Sequence, residues 1–388
     1  MRHYNRGPVV IRRPFSLSSL TDLIVARIRE SGPITVAEFM ELALYHPQLG
    51  YYMRAPQRSG RAGDFFTSVD VGPLFGELIA VQLAEMWSRL RDGGASRFQL
   101  VEAAAGNGRL TRDILDAASA RHHDLYEHLS VTLVERSAAA GAAQRGTLGD
   151  LHRASLQVTT PELPERIDGV ILANELLDAL PVHVVARTDK ELREVYVDTR
   201  DGRLHEIEGP LSTPAIHDYI RAVGVAPPIG TRAEIGLRAV EWMRCAATAL
   251  ERGFLLLFDY GHHASQLFSA THADGTLASY RTHCFSGSWL EDPGEGDLTA
   301  HVNLTAIQHA AEQAGLETLG IVDQSYFLTA LGLTTRLDAG TDRAAVARRL
   351  AAKTLVMPGG LGSTMKVMIF TYRLGHPRLT GLSSGRLT

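Results

Sequence analysis

Two acids, each closing a short apolar run, stand where a nucleoside could be held. The first is Glu102, in Leu100-Val101-Glu102-Ala103-Ala104-Ala105-Gly106-Asn107-Gly108-Arg109. Small residues after a strand let backbone approach a ligand, and a helix start offers free N–H groups. The run is not the dinucleotide fingerprint: its third glycine would fall at Arg109 and its first position is Ala104. Nor does it carry the Lys-Ser/Thr ending of a P-loop. Acid, small residues and Gly-x-Gly suit a neutral ribose and a methionine tail better than a pyrophosphate. The turn alone would equally serve to close a strand onto a helix with no ligand. The second acid is Glu135, after Val131-Thr132-Leu133-Val134. At a strand end it is placed to accept hydrogen bonds from both ribose hydroxyls, its plainer use being a solvated charge. Glu102, Ala104, Gly106, Gly108 and Glu135 are therefore the residues expected to hold a nucleoside.

A second group follows a later apolar run, in Asn174-Glu175-Leu176-Leu177-Asp178-Ala179-Leu180-Pro181. Asn174 could cap a helix. Glu175 and Asp178, three apart, would share one face of a helical turn. Such a carboxylate pair could grip a guanidinium or ammonium group. Asp259-Tyr260-Gly261 ends another strand at the same rim, where Tyr260 could orient a substrate or simply pack. His301, in the acidic, Pro/Gly-containing stretch 291–302, is a candidate general base, although a lone histidine is more often structural. His262 and His263 are adjacent and so point apart. There is no His-Glu-x-x-His and no Gly-x-Ser-x-Gly. No metal is expected.

These groups need a frame. Residues 17–55 read as helix, turn, helix, with Ser19 as the first cap and Thr35 with Glu38 as a capping box. Residues 54–73 are rich in Gly, Arg, Ser and Pro and read as loop, and a helix is expected over 73–91. Buried strands are expected at 98–103, 130–134, 156–160, 169–173 and 253–259, with closing strands at 318–323 and 366–372. Short apolar runs separated by helices imply an α/β fold, a doubly wound and mostly parallel sheet with an antiparallel closing strand. The gap of about 80 residues before the fifth strand is longer than one crossover needs. Short strands at 182–186, 191–197 and 204–208 and a helix at 214–223 suggest an inserted α+β cap. The expected division is a tail (1–16), a helical lid region (17–92), the sheet domain (93–180 and 236–376), the cap (181–235) and a flexible tail (377–388).

The chain has 388 residues and a formal charge of −4, which disfavours a nucleic-acid partner. Cys245 and Cys284 cannot build a disulfide framework, and no apolar run is long enough to span a bilayer. Arg2, Arg6, Arg12 and Arg13, with Ser16, Ser18 and Ser19, precede the first acid, Asp22. That is the texture of a transit peptide, but no amphipathic stripe accompanies it, so a short tail is the favoured reading.

Residues 40–53, Gly63-Asp64-Phe65-Phe66-Thr67-Ser68, Leu74-Phe75-Gly76-Glu77-Leu78-Ile79-Ala80, Asn174-Glu175-Leu176-Leu177-Asp178-Ala179-Leu180-Pro181 and 291–302 resemble the MidA-like methyltransferases. The resemblance runs from about residue 20 to 373. It implies a class I methyltransferase fold, S-adenosylmethionine as methyl donor, and a cap forming the substrate cleft. It also implies that Thr67, Ser68 and Phe75-Gly76-Glu77 help enclose the site. On that reading Asn174 serves both cofactor and acceptor, and Glu175, Asp178, Tyr260 and His301 form the acceptor side. The family includes a protein-arginine methyltransferase, so a protein arginine is the expected acceptor. A small-molecule O- or N-methyltransferase and a non-catalytic assembly protein are the alternatives. A homodimer, a bacterial cytoplasmic location, or the mitochondrial matrix in a eukaryote, complete the expectations. The family usually has Gly and Pro where this chain has Ala104 and Ala105, and Glu where it has Asp70.

Overall fold

The structure, a computed structural model, describes residues 19–54, 67–152, 156–281, 284–285, 288–337, 340–357 and 361–383. The arginine-rich start and Gly63-Asp64-Phe65-Phe66 lie outside the described residues. Seven strands make the central sheet: β1 (Phe98–Ala103), β2 (Leu129–Val134), β3 (Leu156–Thr160), β4 (Ile167–Asn174), β5 (Leu250–His262), β6 (Glu317–Asp323) and β7 (Met365–Tyr372). Their spatial order is β6-β7-β5-β4-β1-β2-β3, and Val302–Asn303 adds a short parallel pairing to the end of β5. β7 runs antiparallel to both neighbours, and the other core pairings are parallel. Strand order reverses between β1 and β4, so a crevice opens above their carboxyl ends.

The alternation of side chains explains why these runs are strands. Leu100, Val170, Leu172 and Leu256 enter the core on one face, while Val101, Ile171, Leu255 and Leu257 enter the core on the other. With both faces covered, each strand reads as a continuous apolar run. Helices α3 (Leu74–Asp92) and α4 (Arg109–Arg121) cover the first face. Their crossing is close: a Cβ at Gly76 would stand 2.6 Å from Asp113 Cβ.

A second sheet comprises His183–Arg187, Leu192–Arg200, Arg203–Gly209 and Arg232–Ile235. Ile34–Thr35 joins its edge, pairing antiparallel with Val197 and Tyr196. Helices α1 (Leu20–Ser31) and α2 (Val36–Tyr45) bury Leu20, Ile24, Phe39 and Met40 against Val182, Val184, Val195 and Val197. The helical region and the insert therefore share one core, where the sequence suggested two units. Ser19 and Thr35 cap α1 and α2, accepting from the N–H groups of Asp22 and Glu38 at 3.2 and 3.1 Å. Glu38 does not complete the expected box: its carboxylate turns to Arg27, 2.9 Å away.

The C-terminal tail also needs correction. Residues 377–383 dock on α3: Leu379 is buried, the Gly381 N–H donates to Gln82 Oε1 at 3.0 Å, and the Thr380 N–H donates to Glu85 at 2.8 Å. A small sheet of Ala278–Arg281, Cys284–Phe285 and Asp297–Thr299, not expected from the sequence, stands beside the crevice.

Candidate active site

One cleft of about 1320 Å³ lies over the carboxyl ends of the strands. Of the expected residues, Thr67, Glu102, Ala104, Gly106, Glu135, Asn174, Glu175, Asp178, Tyr260 and His301 line it. Ser68 and Gly108 do not.

Its first end is built where β1 enters α4. Glu102 is buried, and the Thr111 hydroxyl donates to its carboxylate. Burial pushes its carboxyl up to about 7. The backbone then turns through Ala104 and Gly106 at φ 54° and 51°. A Cβ at Gly106 would meet nothing within 4 Å, so this corner is open. The Gly106 N–H donates to one oxygen of Glu135 at 2.8 Å, and the Ser137 N–H donates to the other at 2.7 Å. A carboxylate has about four acceptor sites, so Glu135 retains capacity for two hydroxyls. Gln144 clamps the loop from below, donating to Gly106 O at 2.8 Å while accepting from Thr159 at 2.8 Å. Gly108 caps α4 with φ 81°, and a Cβ there would crowd Leu133 at 3.2 Å. Its role is to let the turn pack, not to face a ligand.

The far end is acidic. Residues 174–181 do not form the helical turn expected of them. Glu175 sits at φ 53°, its N–H donating to Phe258 O at 2.8 Å. The N–H groups of Leu176 and Leu177 donate to Asp259 Oδ2 at 3.2 and 2.7 Å. A carboxylate from β5 thus replaces helical hydrogen bonding, and the segment bends into the crevice. Asn174 does not cap a helix: its amide donates to Glu175 Oε1 at 3.0 Å, and its buried Oδ1 has no hydrogen-bond partner. The Ser68 N–H also bonds the Glu175 carboxylate, so Ser68 supports the site from outside the cleft. Burial first, and the charge of Asp178 second, push the Glu175 carboxyl up to about 8. Burial, then Asp259 and Asp297, push Asp178 well above the usual range. Among the described residues no lysine or arginine is paired with Glu175 or Asp178.

Aromatic residues of the N-terminal region close this end. Tyr45 and Tyr52 stack at 5.6 Å, the Tyr52 hydroxyl donating to Asp297 Oδ1 at 2.7 Å and the Tyr45 hydroxyl to Ala179 O at 3.1 Å. Arg136 lies 4.7 Å above the Tyr45 ring. Tyr260 and His301 complete the wall. Burial, then His262 and His272, lower the His301 imidazole to about 4, so it is neutral at physiological pH.

A match to the family described as "Putative S-adenosyl-L-methionine-dependent methyltransferase" spans residues 78–322. The chain belongs to this methyltransferase family. It is 31% identical to the mouse protein arginine methyltransferase NDUFAF7, mitochondrial, over 94% of this chain and 86% of the relative. The human protein of the same name is 30% identical over 82% and 75%. A likely methyl transferase of the COG1565 superfamily from Burkholderia thailandensis, solved with S-adenosyl-homocysteine, superposes with a TM-score of 0.87 at 29% identity, covering 94% of this chain and 95% of that one. The methyl donor of this methyltransferase is therefore S-adenosylmethionine. Among the described residues no helix is long and apolar enough to cross a membrane.

The first end of the cleft suits that donor on its own geometry. Gly106 leaves open space, Glu135 has spare acceptor sites, and the unpartnered Asn174 Oδ1 is a buried acceptor awaiting a donor. Phe75, Gly76 and Glu77 do not enclose the site as the resemblance implied. Phe75 packs on Phe258 at 5.2 Å, and Arg348 and Arg121 bind Glu77 at 2.6 and 3.1 Å. Asp70 instead orders the loop at the mouth, accepting from the Thr67 N–H and hydroxyl at 3.1 and 3.0 Å. Sequence reasoning missed Tyr45, Tyr52, Asp297, Gln144 and the anchoring role of Asp259. Tyr45, directly before His46, and the Tyr51-Tyr52 pair after Gly50 were the visible signal for the tyrosines.

Two predictions arise here. A side chain at left-handed φ costs roughly 1–2 kcal/mol. Ala104→Gly is therefore expected to raise stability by about 1 kcal/mol in urea unfolding, after the entropy of the added glycine. No gain would mean that Ala104 is unstrained. The second concerns pH. Glu102 and Glu175 keep their protons up to about 7 and about 8, whereas the unfolded chain loses them near 4.5. Their stabilising contribution is full below 4.5 and is lost as pH rises through the folded values. His301, lowered to about 4, acts with the opposite sign, but only below its ordinary 6.5. Between pH 6.5 and 8 the donor-free protein should lose stability, by up to about 1.4 kcal/mol per pH unit for each proton held. Glu175→Gln should flatten that loss in urea titrations; an equally steep loss would contradict the assignment.

Proposed function

We propose that the chain methylates the guanidinium of a protein arginine, with Glu175 and Asp178 as the groups that receive it. The supporting observation is a pair of carboxyls at the far end of the cleft, Asp178 buried and Glu175 half-buried, with no lysine or arginine among the described residues paired to them. A guanidinium presents five donors in a plane and matches carboxylates in pairs. The relatives' names, protein arginine methyltransferase, agree with this reading.

When bound, S-adenosylmethionine supplies an electrophilic methyl group. Glu135 would accept from the ribose hydroxyls, and the Gly106 corner and Asn174 Oδ1 would hold the methionine end. Protonated arginine has no free lone pair, so the acceptor nitrogen must have its charge localised and its proton removed. Glu175 and Asp178 perform both tasks. The arriving cation favours the ionised carboxyl, so binding near neutral pH expels a proton from Glu175. The resulting carboxylate remains basic enough to accept the proton released from nitrogen. Tyr45, Tyr52 and Tyr260 wall the acceptor and exclude water, and orientation in such a site supplies much of the acceleration.

The test is to incubate a lysate with the enzyme and methyl-labelled donor, then hydrolyse the protein fraction. Label should appear as methylarginine. Label confined to small molecules would reject the proposal and favour a metabolite acceptor.

A further inference from the structure

Three histidines far apart in sequence meet at the edge of the cleft. His262 ends β5, His272 ends the one-turn helix Ala270–His272, and His301 immediately precedes Val302–Asn303. One ring nitrogen from each lies within 4.8 Å of the other two. The ring centroids are 5.4 Å apart for His262 and His272, 5.3 Å for His262 and His301, and 6.2 Å for His272 and His301. All three are half-buried. From this convergence we propose that His262, His272 and His301 bind one divalent transition-metal ion, with zinc as the expected occupant.

The donor chemistry supports this choice. His272 Nδ1 is 2.9 Å from the backbone oxygen of Gln266. A carbonyl only accepts, so Nδ1 carries the hydrogen and Nε2 keeps its lone pair. This is how ligating imidazoles are oriented, by a second partner on the far nitrogen. His301 Nδ1 is buried with no hydrogen-bond partner. An orphaned buried nitrogen is costly unless something satisfies it. Imidazole donors without carboxylates suit zinc, copper or nickel and not magnesium or calcium.

The spacing is within reach of a metal site. Tetrahedral zinc with Zn–N bonds of about 2.0–2.1 Å sets its ligand nitrogens about 3.4 Å apart. Small side-chain rotations close the remaining gap. Three ligands leave a fourth position open. His301 lines the cleft, so the ion would sit in its wall. The ion would tie the end of β5 to the segments flanking the small sheet, whose strands carry Tyr280 and Asp297, two further cleft residues. Its function would then be to fix the acceptor wall. The sequence expectation of no metal weighed local spacings alone, the adjacent His262 and His263 and the missing His-Glu-x-x-His and Cys-x-x-Cys patterns; His272 and His301 lie 10 and 39 positions from His262.

The experiment uses the full chain, purified without a polyhistidine tag, stripped with chelator and dialysed against zinc chloride. Elemental analysis should find one zinc per chain. Cobalt(II) titration should give the intense visible absorption of a tetrahedral nitrogen site. His272→Ala and His301→Ala should each weaken zinc binding by at least about 10-fold, with circular dichroism checking that both variants are folded. His263→Ala should bind zinc as the parent does. A parent chain that takes up no zinc at tens of micromolar, or folded His272→Ala and His301→Ala variants that bind it with the parent's affinity, overturns the proposal.

Discussion

Glu175→Gln should lower kcat by about 10²–10³-fold, the range expected when a positioned proton acceptor is removed, while the dissociation constant for S-adenosylmethionine stays within about twofold. The amide is nearly isosteric and keeps the hydrogen bond from the Ser68 N–H, so the fold is preserved. What it loses is negative charge opposite the guanidinium and a place for the departing proton. The strained backbone at Glu175, φ 53°, agrees with a position held for chemistry. Single-turnover rates with labelled donor would measure the effect. Unchanged turnover would remove Glu175 from the mechanism.

Glu135→Ala should act on the other end of the cleft. Hydrogen bonds to a charged group contribute about 1.5–3 kcal/mol each. Losing two ribose contacts therefore weakens donor binding by at least about 100-fold. The substitution also strands the Gly106 and Ser137 N–H groups that Glu135 now accepts, loosening the turn. Calorimetric titration with S-adenosylhomocysteine reads the loss directly. Equal affinity would reject the ribose role. The two variants are separable: one should fail in turnover with binding intact, the other in binding.

Much of this was legible in the sequence for a physical reason. Strands covered on both faces read as apolar runs, so the central sheet, the Gly106 turn and the two strand-end acids could be placed from local pattern alone. The acidic turn was visible too, but not its shape. Nothing local says that Asp259, some 80 residues on, takes the N–H groups of Leu176 and Leu177 and prevents a helix. The same limit hid Asp297 and the tyrosines, which reach the cleft from the small sheet and from the N-terminal region. It also hid the histidine cluster and the docking of 377–383. Ala104 illustrates a subtler case. Its φ of 54° is imposed by the turn, and an alanine there gives no local signal of it. Gly108 misled for the opposite reason: a glycine required for packing against Leu133 reads like one that faces a ligand.

The most direct test is a crystal structure of the chain with S-adenosylhomocysteine. The ribose hydroxyls should lie within about 2.7–3.2 Å of the Glu135 carboxylate, and the sulfur should point along the cleft toward Asn174 and Glu175. A nucleoside bound elsewhere, or a sulfur directed away from that acidic end, would contradict the account.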